Sequence, residues 1–385
     1  MLAGKSVQGG FYLTLFNITS LIVSIAVNVI LARLLEPEDF GLVALVATCV
    51  GAITVLSVIG FGKAIIYYQN VSEKQLSTIY WLNWISAIVV FVIIMLSADQ
   101  LAIFYEEPRL AQLIRLAGLN ILLTPLYIVQ YKLLERDLRF KRLTLINFVS
   151  IIISSLLVVI LAVLGFGIYS LVFQGLIINL VKSIQILFLR TWRPSYILKL
   201  SEIRSMLRYS FKLKLNDLVH FFSRDIDYLM IGKYFAASTL GYYSFSYNIM
   251  YNPVKRVSYV FSQVLFPSFS SLQGDYRRIL KGYYTSLNLV AMVSFPVMVL
   301  LSLNTEFVLN ILFGRKWDGA IPIIQILSIA GAVQSIQQFG GVIFSSLGKP
   351  EYNILMSMSA VLLTITAIIV GAQFNILADA YLLLS

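Results

Sequence analysis

Stretches of about 20 consecutive apolar residues, the length of helix that crosses a bilayer's hydrocarbon core, recur along this chain. They lie at 10–33, 40–66, 78–98, 110–131, 143–164, 167–189, 207–232, 238–268, 282–303, 319–347 and 352–372, and a twelfth opens near 375. Only 12% of the 385 residues are charged, where a soluble domain carries roughly 25%. A helix closes its own backbone hydrogen bonds in lipid, so the expected fold is an all-α integral membrane protein of about 12 transmembrane helices. The first run exceeds 20 apolar positions and starts close to Met1, too long for a signal-peptide core, so it reads as a retained span. The last run, "FNILADAYLLLS", covers half a bilayer, which predicts that the chain continues beyond Ser385.

The residue inventory excludes much chemistry. One cysteine, Cys49, and one histidine, His220, leave no disulfide framework, no thiolate or imidazole metal cluster and no Ser–His–acid set outside the membrane. No G-x-x-x-x-G-K-[ST] loop is present, since "SSLGKPEY" lacks the first glycine. "DID" at 225–227 matches a metal–sugar-nucleotide pattern, but residues two apart on a helix point about 200° apart and cannot chelate one ion. The expectation is a protein that is not an enzyme and carries no cofactor.

Lys and Arg between the spans set the orientation. Lys5 and the loops after even-numbered spans hold 16 cations; the loops after odd-numbered spans hold five: Arg33, Arg109, Lys233, Arg315 and Lys316. The N-terminus is therefore expected in the cytoplasm, with the protein in the inner membrane. The net charge of +11 then reflects topology and anionic lipid headgroups, not nucleic acid.

A weak repeat lays "ILARLLEPEDFGL" (30–42) over "MIGKYFAASTLGY" (230–242), superposing Arg33 on Lys233 and Gly41 on Gly241; "IRLAGL" (114–119) likewise resembles "LSIAGA" (327–332). Two six-helix lobes of the same orientation produce such a pattern, here 1–195 and 196–385, the second incomplete. Their join, the basic stretch 190–210, has Leu and Ile at helical spacing and reads as an amphipathic helix on the inner surface.

Ionisable residues inside spans are costly and mark function or pairing. In the seventh span Lys214, Asp217, His220, Arg224 and Asp227 fall on one helix face; in the eighth, Ser244, Asn248, Tyr251, Lys255, Ser258 and Ser262 do the same. One reading is pairing that holds the bundle together, with Asp217 reaching Lys214 and Asp227 reaching Arg224. The other is a wet cavity, which the adjacent cations Lys255 and Arg256 favour, having no acid nearby in sequence. Tyr242 and Tyr243 read as interfacial belt or packing residues, Tyr247 and Tyr251 as deeper candidates. His220 is a hydrogen-bonding residue or a proton carrier.

Five stretches carry a resemblance: "LARLLEPEDFGLVAL" (31–45), "LSTIYWLNW" (76–84), "FSRDIDYLMIGKYFAASTLGYYSFSY" (222–247), "VLFPSFSSLQ" (264–273) and "LFGRKWDGAIPIIQILSIAG" (312–331). Through them the chain resembles a Wzx-type polysaccharide exporter of the multidrug/oligosaccharidyl-lipid/polysaccharide (MOP) superfamily, nearest the colanic-acid and teichuronic-acid branch. The resemblance implies a MATE-like architecture of two lobes around a central cavity, usually monomeric, with 12 to 14 helices. Its implied cargo is a polyprenyl-pyrophosphate-linked oligosaccharide, flipped from inner to outer leaflet, with a glycan polymerase or assembly machinery as partner. Arg224 and Asp227 occupy the family's S-R-x-x-D pattern, whereas Lys255 and Arg256 replace residues that are usually neutral. A pyrophosphate in a low-dielectric cavity needs cations. Arg224, Lys255 and Arg256 are thus expected to attract it, with Tyr247, Tyr251 and Asn248 facing the sugars. Asp217, His220 and Asp227 would balance charge or carry a coupling cation. The alternatives are an ion-coupled multidrug efflux transporter, whose cavity should be acidic, a peptidoglycan lipid-precursor flippase, and a membrane glycan polymerase or ligase, which needs a larger outer loop.

Overall fold

The computed structural model describes residues 2–57, 61–68, 70–189, 192–252, 254, 276–346 and 351–373. The regular elements among them are helical: α1 (Leu2–Leu34), α2 (Pro37–Ser57), α3 (Gly62–Tyr67), α4 (Glu73–Phe104), α5 (Arg109–Arg136), α6 (Phe140–Val163) and α7 (Ile168–Leu189). They continue with α8 (Arg204–Tyr234), α9 (237–252), α10 (Tyr276–Leu303), α11 (Thr305–Leu312), α12 (Ile321–Ser346) and α13 (Glu351–Gln373). Among the described residues, seven helices are long and apolar enough to cross a membrane, and two shorter apolar helices accompany them. The protein is a multi-pass, all-α membrane protein. The twelfth expected span, near 375, lies outside the described residues.

Helix ends follow local chemistry. Pro37 opens α2 where its missing N–H costs nothing, and the Asp39 carboxylate accepts from the Glu36 N–H at 3.1 Å. Ser72 and Gln75 form a reciprocal capping box at the start of α4. The apolar run 40–66 is two elements, α2 and the short α3.

The join differs from its expectation. Residues 192–199 are not helical but run as a strap, followed by a 3-10 turn at Leu200–Ile203, and α8 begins only at Arg204. Pro194 removes a backbone donor and disfavours a helical residue before it. Side chains of α4 and α5 instead satisfy the strap's backbone. Ser77 Oγ accepts from Ser195 N at 3.0 Å, and Thr78 Oγ1 from Lys199 N at 3.1 Å. Gln130 donates to Trp192 O, Trp81 Nε1 to Ser195 O, and Gln75 Nε2 to Glu202 O, at 2.7, 2.8 and 2.8 Å. Trp192 and Ile203 pack into a core with Phe61, Ile65, Leu76, Ile79 and Val129.

The chain forms two compact units: residues 1–35 with 45–218, and 36–44 with 219–385. In the first, α4 packs along α5, α5 and α6 along α7, and α1 along α6. In the second, α10 packs on α12, and the start of α2 meets the start of α9. That meeting is reciprocal. A Cβ on Gly41 would lie 1.9 Å from Ala237 O, and one on Gly241 1.8 Å from Pro37 O. The two glycines that the sequence repeat superposes are thus the residues that let two helix starts touch. The stretch 303–319, between the ninth and tenth expected spans, is not an open loop but folds as α11 and a 3-10 turn at Arg315–Ala320. Its fully buried Trp317 stacks on Phe245 at 3.9 Å, edge-on to Phe40 at 5.2 Å.

Candidate functional site

The second half of α8 and the whole of α9 form a helical hairpin within the second unit. Tyr243, Tyr247 and Tyr251 are four residues apart and stack on one face of α9. The rings of Tyr247 and Tyr251 are stacked, with centroids 5.4 Å apart. Tyr228, from α8, sets its ring edge-on to Tyr243 at 5.6 Å and to Tyr247 at 6.3 Å.

Two carboxylates of α8 flank this column and serve different partners. Asp225 holds Arg224 through a fork, Nε to Oδ1 at 3.0 Å and Nη2 to Oδ2 at 2.7 Å. The Arg224 side chain stays 64% exposed, its partner 16%, and Tyr247 and Tyr251 lie within its electrostatic reach. Asp227 is buried at 7% exposure. It accepts from the Tyr243 hydroxyl and from the Tyr228 N–H. On α12, the Gln334 side chain meets the Tyr247 hydroxyl, and its own Oε1 is buried without a hydrogen-bond partner.

One sequence-derived pairing, Asp227 with Arg224, is therefore corrected. Asp227 bonds Tyr243, and Arg224 pairs with its neighbour Asp225. In the first unit, Asp217 pairs with Lys63 of α3 at 2.7 Å, while Lys214 donates to Thr54 O at 3.3 Å. Residues three or four apart share a helix face, yet Arg224 takes its immediate neighbour and Asp227 a residue of α9. Asp217, which acts electrostatically on Lys214, also reaches Lys63 of α3. Asn248 turns its amide back to Ser244 O at 2.8 Å. His220 lies in α8, with its side chain outside the described part, and Lys255 and Arg256 lie outside the described residues.

Three participants escaped sequence reasoning. Asp225 sits in the "DID" motif set aside above, and its two acids bond different partners. Tyr243 was read as a belt or packing residue because nothing local ties it to Asp227, 16 positions earlier. Gln334 gave no signal at all, since only tertiary packing brings it to Tyr247.

As chemistry, the hairpin offers a tyrosine wall beside an exposed guanidinium whose fork already holds a carboxylate. Such a fork fits phosphate oxygens equally well. The fold and this site together define a polytopic membrane protein. The chain belongs to the polysaccharide biosynthesis protein family (Polysacc_synt_3), whose pattern matches residues 30–322. It is 28% identical over 296 residues to the teichuronic acid biosynthesis protein TuaB of Bacillus subtilis (strain 168), covering 76% of this chain and 61% of that protein. It is 23% identical over 375 residues to the lipopolysaccharide biosynthesis protein WzxC of Escherichia coli (strain K12), covering 96% and 75%. Its fold is similar to that of the lipid II flippase MurJ, solved in an inward closed conformation, with a TM-score of 0.79 at 14% identity over 97% of this chain and 84% of that one. The fold is also similar to that of an inward-facing multidrug resistance MATE family transporter, with a TM-score of 0.68 at 13% identity over 95% of this chain and 92% of that one, in line with the expected MATE-like fold.

Proposed function

We propose that this protein flips a polyprenyl-pyrophosphate-linked oligosaccharide from the inner to the outer leaflet of the cytoplasmic membrane, by alternating access, for cell-surface polysaccharide synthesis. The observation that carries the reading is the exposed, carboxylate-held Arg224 beside the Tyr247–Tyr251 stack. Family membership and the similarity to TuaB and WzxC support a glycan cargo. In this reading Arg224 exchanges Asp225 for pyrophosphate, helped by Lys255 and Arg256, while Tyr247, Tyr251 and Asn248 face the sugars. Asp217, His220 and Asp227 balance charge or carry a coupling cation. The N-terminus is cytoplasmic, the chain works as a monomer without catalysis, and its cargo passes to a glycan polymerase.

Mass spectrometry of lipids that co-purify in mild detergent tests the proposal. Wild-type protein should enrich a polyprenyl-pyrophosphate glycan over ordinary phospholipid, and Arg224→Ala and the Lys255→Ala/Arg256→Ala pair should lose it. Equal lipid profiles in folded wild type and variants, from cells that make the glycan, would sink the assignment.

A further inference from the structure

We propose that the strap at 192–203, with the first turns of α8, is a binding surface for anionic phospholipid headgroups. Three observations converge on it. The strap is held rigidly, because the side chains of Gln75, Ser77, Thr78, Trp81 and Gln130 bond its backbone, and Trp192 and Ile203 anchor it in the core of the first unit. A segment without regular structure that spends so many tertiary bonds on its backbone has a fixed outer face.

That face is apolar and aromatic at its tip. Tyr196 is 95% exposed and stacks its ring on Trp81 at 5.6 Å, while Leu198 and Leu200 of the strap and Phe211 of α8 are exposed too. Trp81 belongs to the first turns of α4, a helix long and apolar enough to span. A Trp–Tyr pair at the end of a span is the chemistry of the membrane–water boundary, where amphipathic rings reside.

The face is also basic. Arg193, Lys199, Arg204 and Arg208 are all exposed, against one exposed acid, Glu202. Cations just outside a span each strengthen association with an anionic leaflet by about fivefold. Rings at the boundary and four cations outside it complement one partner, a phospholipid headgroup layer of negative charge. The inference rests on the membrane-spanning fold and is independent of the cargo.

Cys49, the chain's one cysteine, is buried at 3% exposure, so an environment-sensitive fluorophore can be placed selectively at Leu198→Cys while the Tyr196–Trp81 stack stays intact. The labelled protein is reconstituted into phosphatidylcholine vesicles containing increasing phosphatidylglycerol. Emission should shift to the blue as the anionic lipid increases, and brominated phosphatidylglycerol should quench it. Glutamine at Arg193 and Lys199, both exposed, should move the midpoint to a clearly higher phosphatidylglycerol content, since each lost cation weakens the association by about fivefold. High salt should act in the same direction. Emission that is the same in both lipids, or a midpoint unmoved in a double variant that elutes as a folded monodisperse protein, overturns the proposal. An acidic protein partner for the strap would then be the next candidate.

Discussion

Asp217 and Asp227 stand ten residues apart on one helix, yet the two halves of α8 treat them oppositely. Asp217 belongs to the first unit and pairs with Lys63, both side chains remaining about half exposed at 42% and 55%. Asp227 belongs to the second, is buried, and meets a tyrosine hydroxyl instead of a cation. An exposed ion pair contributes little net stability, because both charges are already well solvated. A buried carboxylate depends on each donor it has, because none can be replaced by water. The spacing of charges along a helix therefore shows which residues share a face, while the neighbouring helices decide what each charge is worth.

The buried region should break first where it is tightest. Gly241→Ala puts a methyl group 1.8 Å from the Pro37 carbonyl oxygen, a backbone atom that cannot swing aside. We expect a loss of about 3 kcal/mol, at the upper end of ordinary overpacking, seen as a lower thermal midpoint in detergent. Gly41→Ala should behave alike, since its contact with Ala237 O is the mirror of the first. If either variant melts like wild type, the two helix starts are not in that contact.

Next in size is Tyr243→Phe, which keeps the ring but takes the hydroxyl from Asp227. A lost hydrogen bond to a buried carboxyl group costs about 2 kcal/mol. An unchanged midpoint would mean that Asp227 finds another donor, and the contrast between the halves of α8 would narrow. Asp217→Asn should cost less than about 1 kcal/mol, the range for an exposed pair. A loss of several kcal/mol there would show that lipid rather than water surrounds Lys63 and Asp217.

These contrasts explain what was legible beforehand. Apolar run length dictated nearly every helix, because a span must satisfy its own backbone in lipid. The Gly41–Gly241 correspondence was visible as a repeat, though its meaning as mutual contact was not. Tyr247 and Tyr251 could be singled out, since four-residue spacing is a local property. Partners distant in sequence were illegible: Tyr243 for Asp227, Lys63 for Asp217, Gln334 for Tyr247. The strap was misread for a related reason. Its Leu and Ile spacing suited a helix, while Pro194 and the waiting side chains of α4 and α5 made a fixed extended path more favourable.

The smallest expected effect extends the comparison to a loop outside the spans. Glu107, between α4 and α5, accepts from the Arg109 Nε at 2.9 Å and from the Arg109 backbone N–H at 3.2 Å. The Arg109 side chain, through this hydrogen bond first, holds the Glu107 carboxyl below the usual carboxylate range. A carboxyl whose folded pKa is depressed contributes stability that is present above its unfolded pKa and is lost as pH falls through the folded one. The contribution should be a few tenths of a kcal/mol, because the Arg109 side chain is half exposed. The difference in thermal midpoint between wild type and Glu107→Gln should therefore be small but measurable near neutrality and vanish in acid, below the ordinary carboxylate range. A difference that grows as pH falls would reverse the sign, and would mean that Glu107 is held protonated by a neighbour other than Arg109.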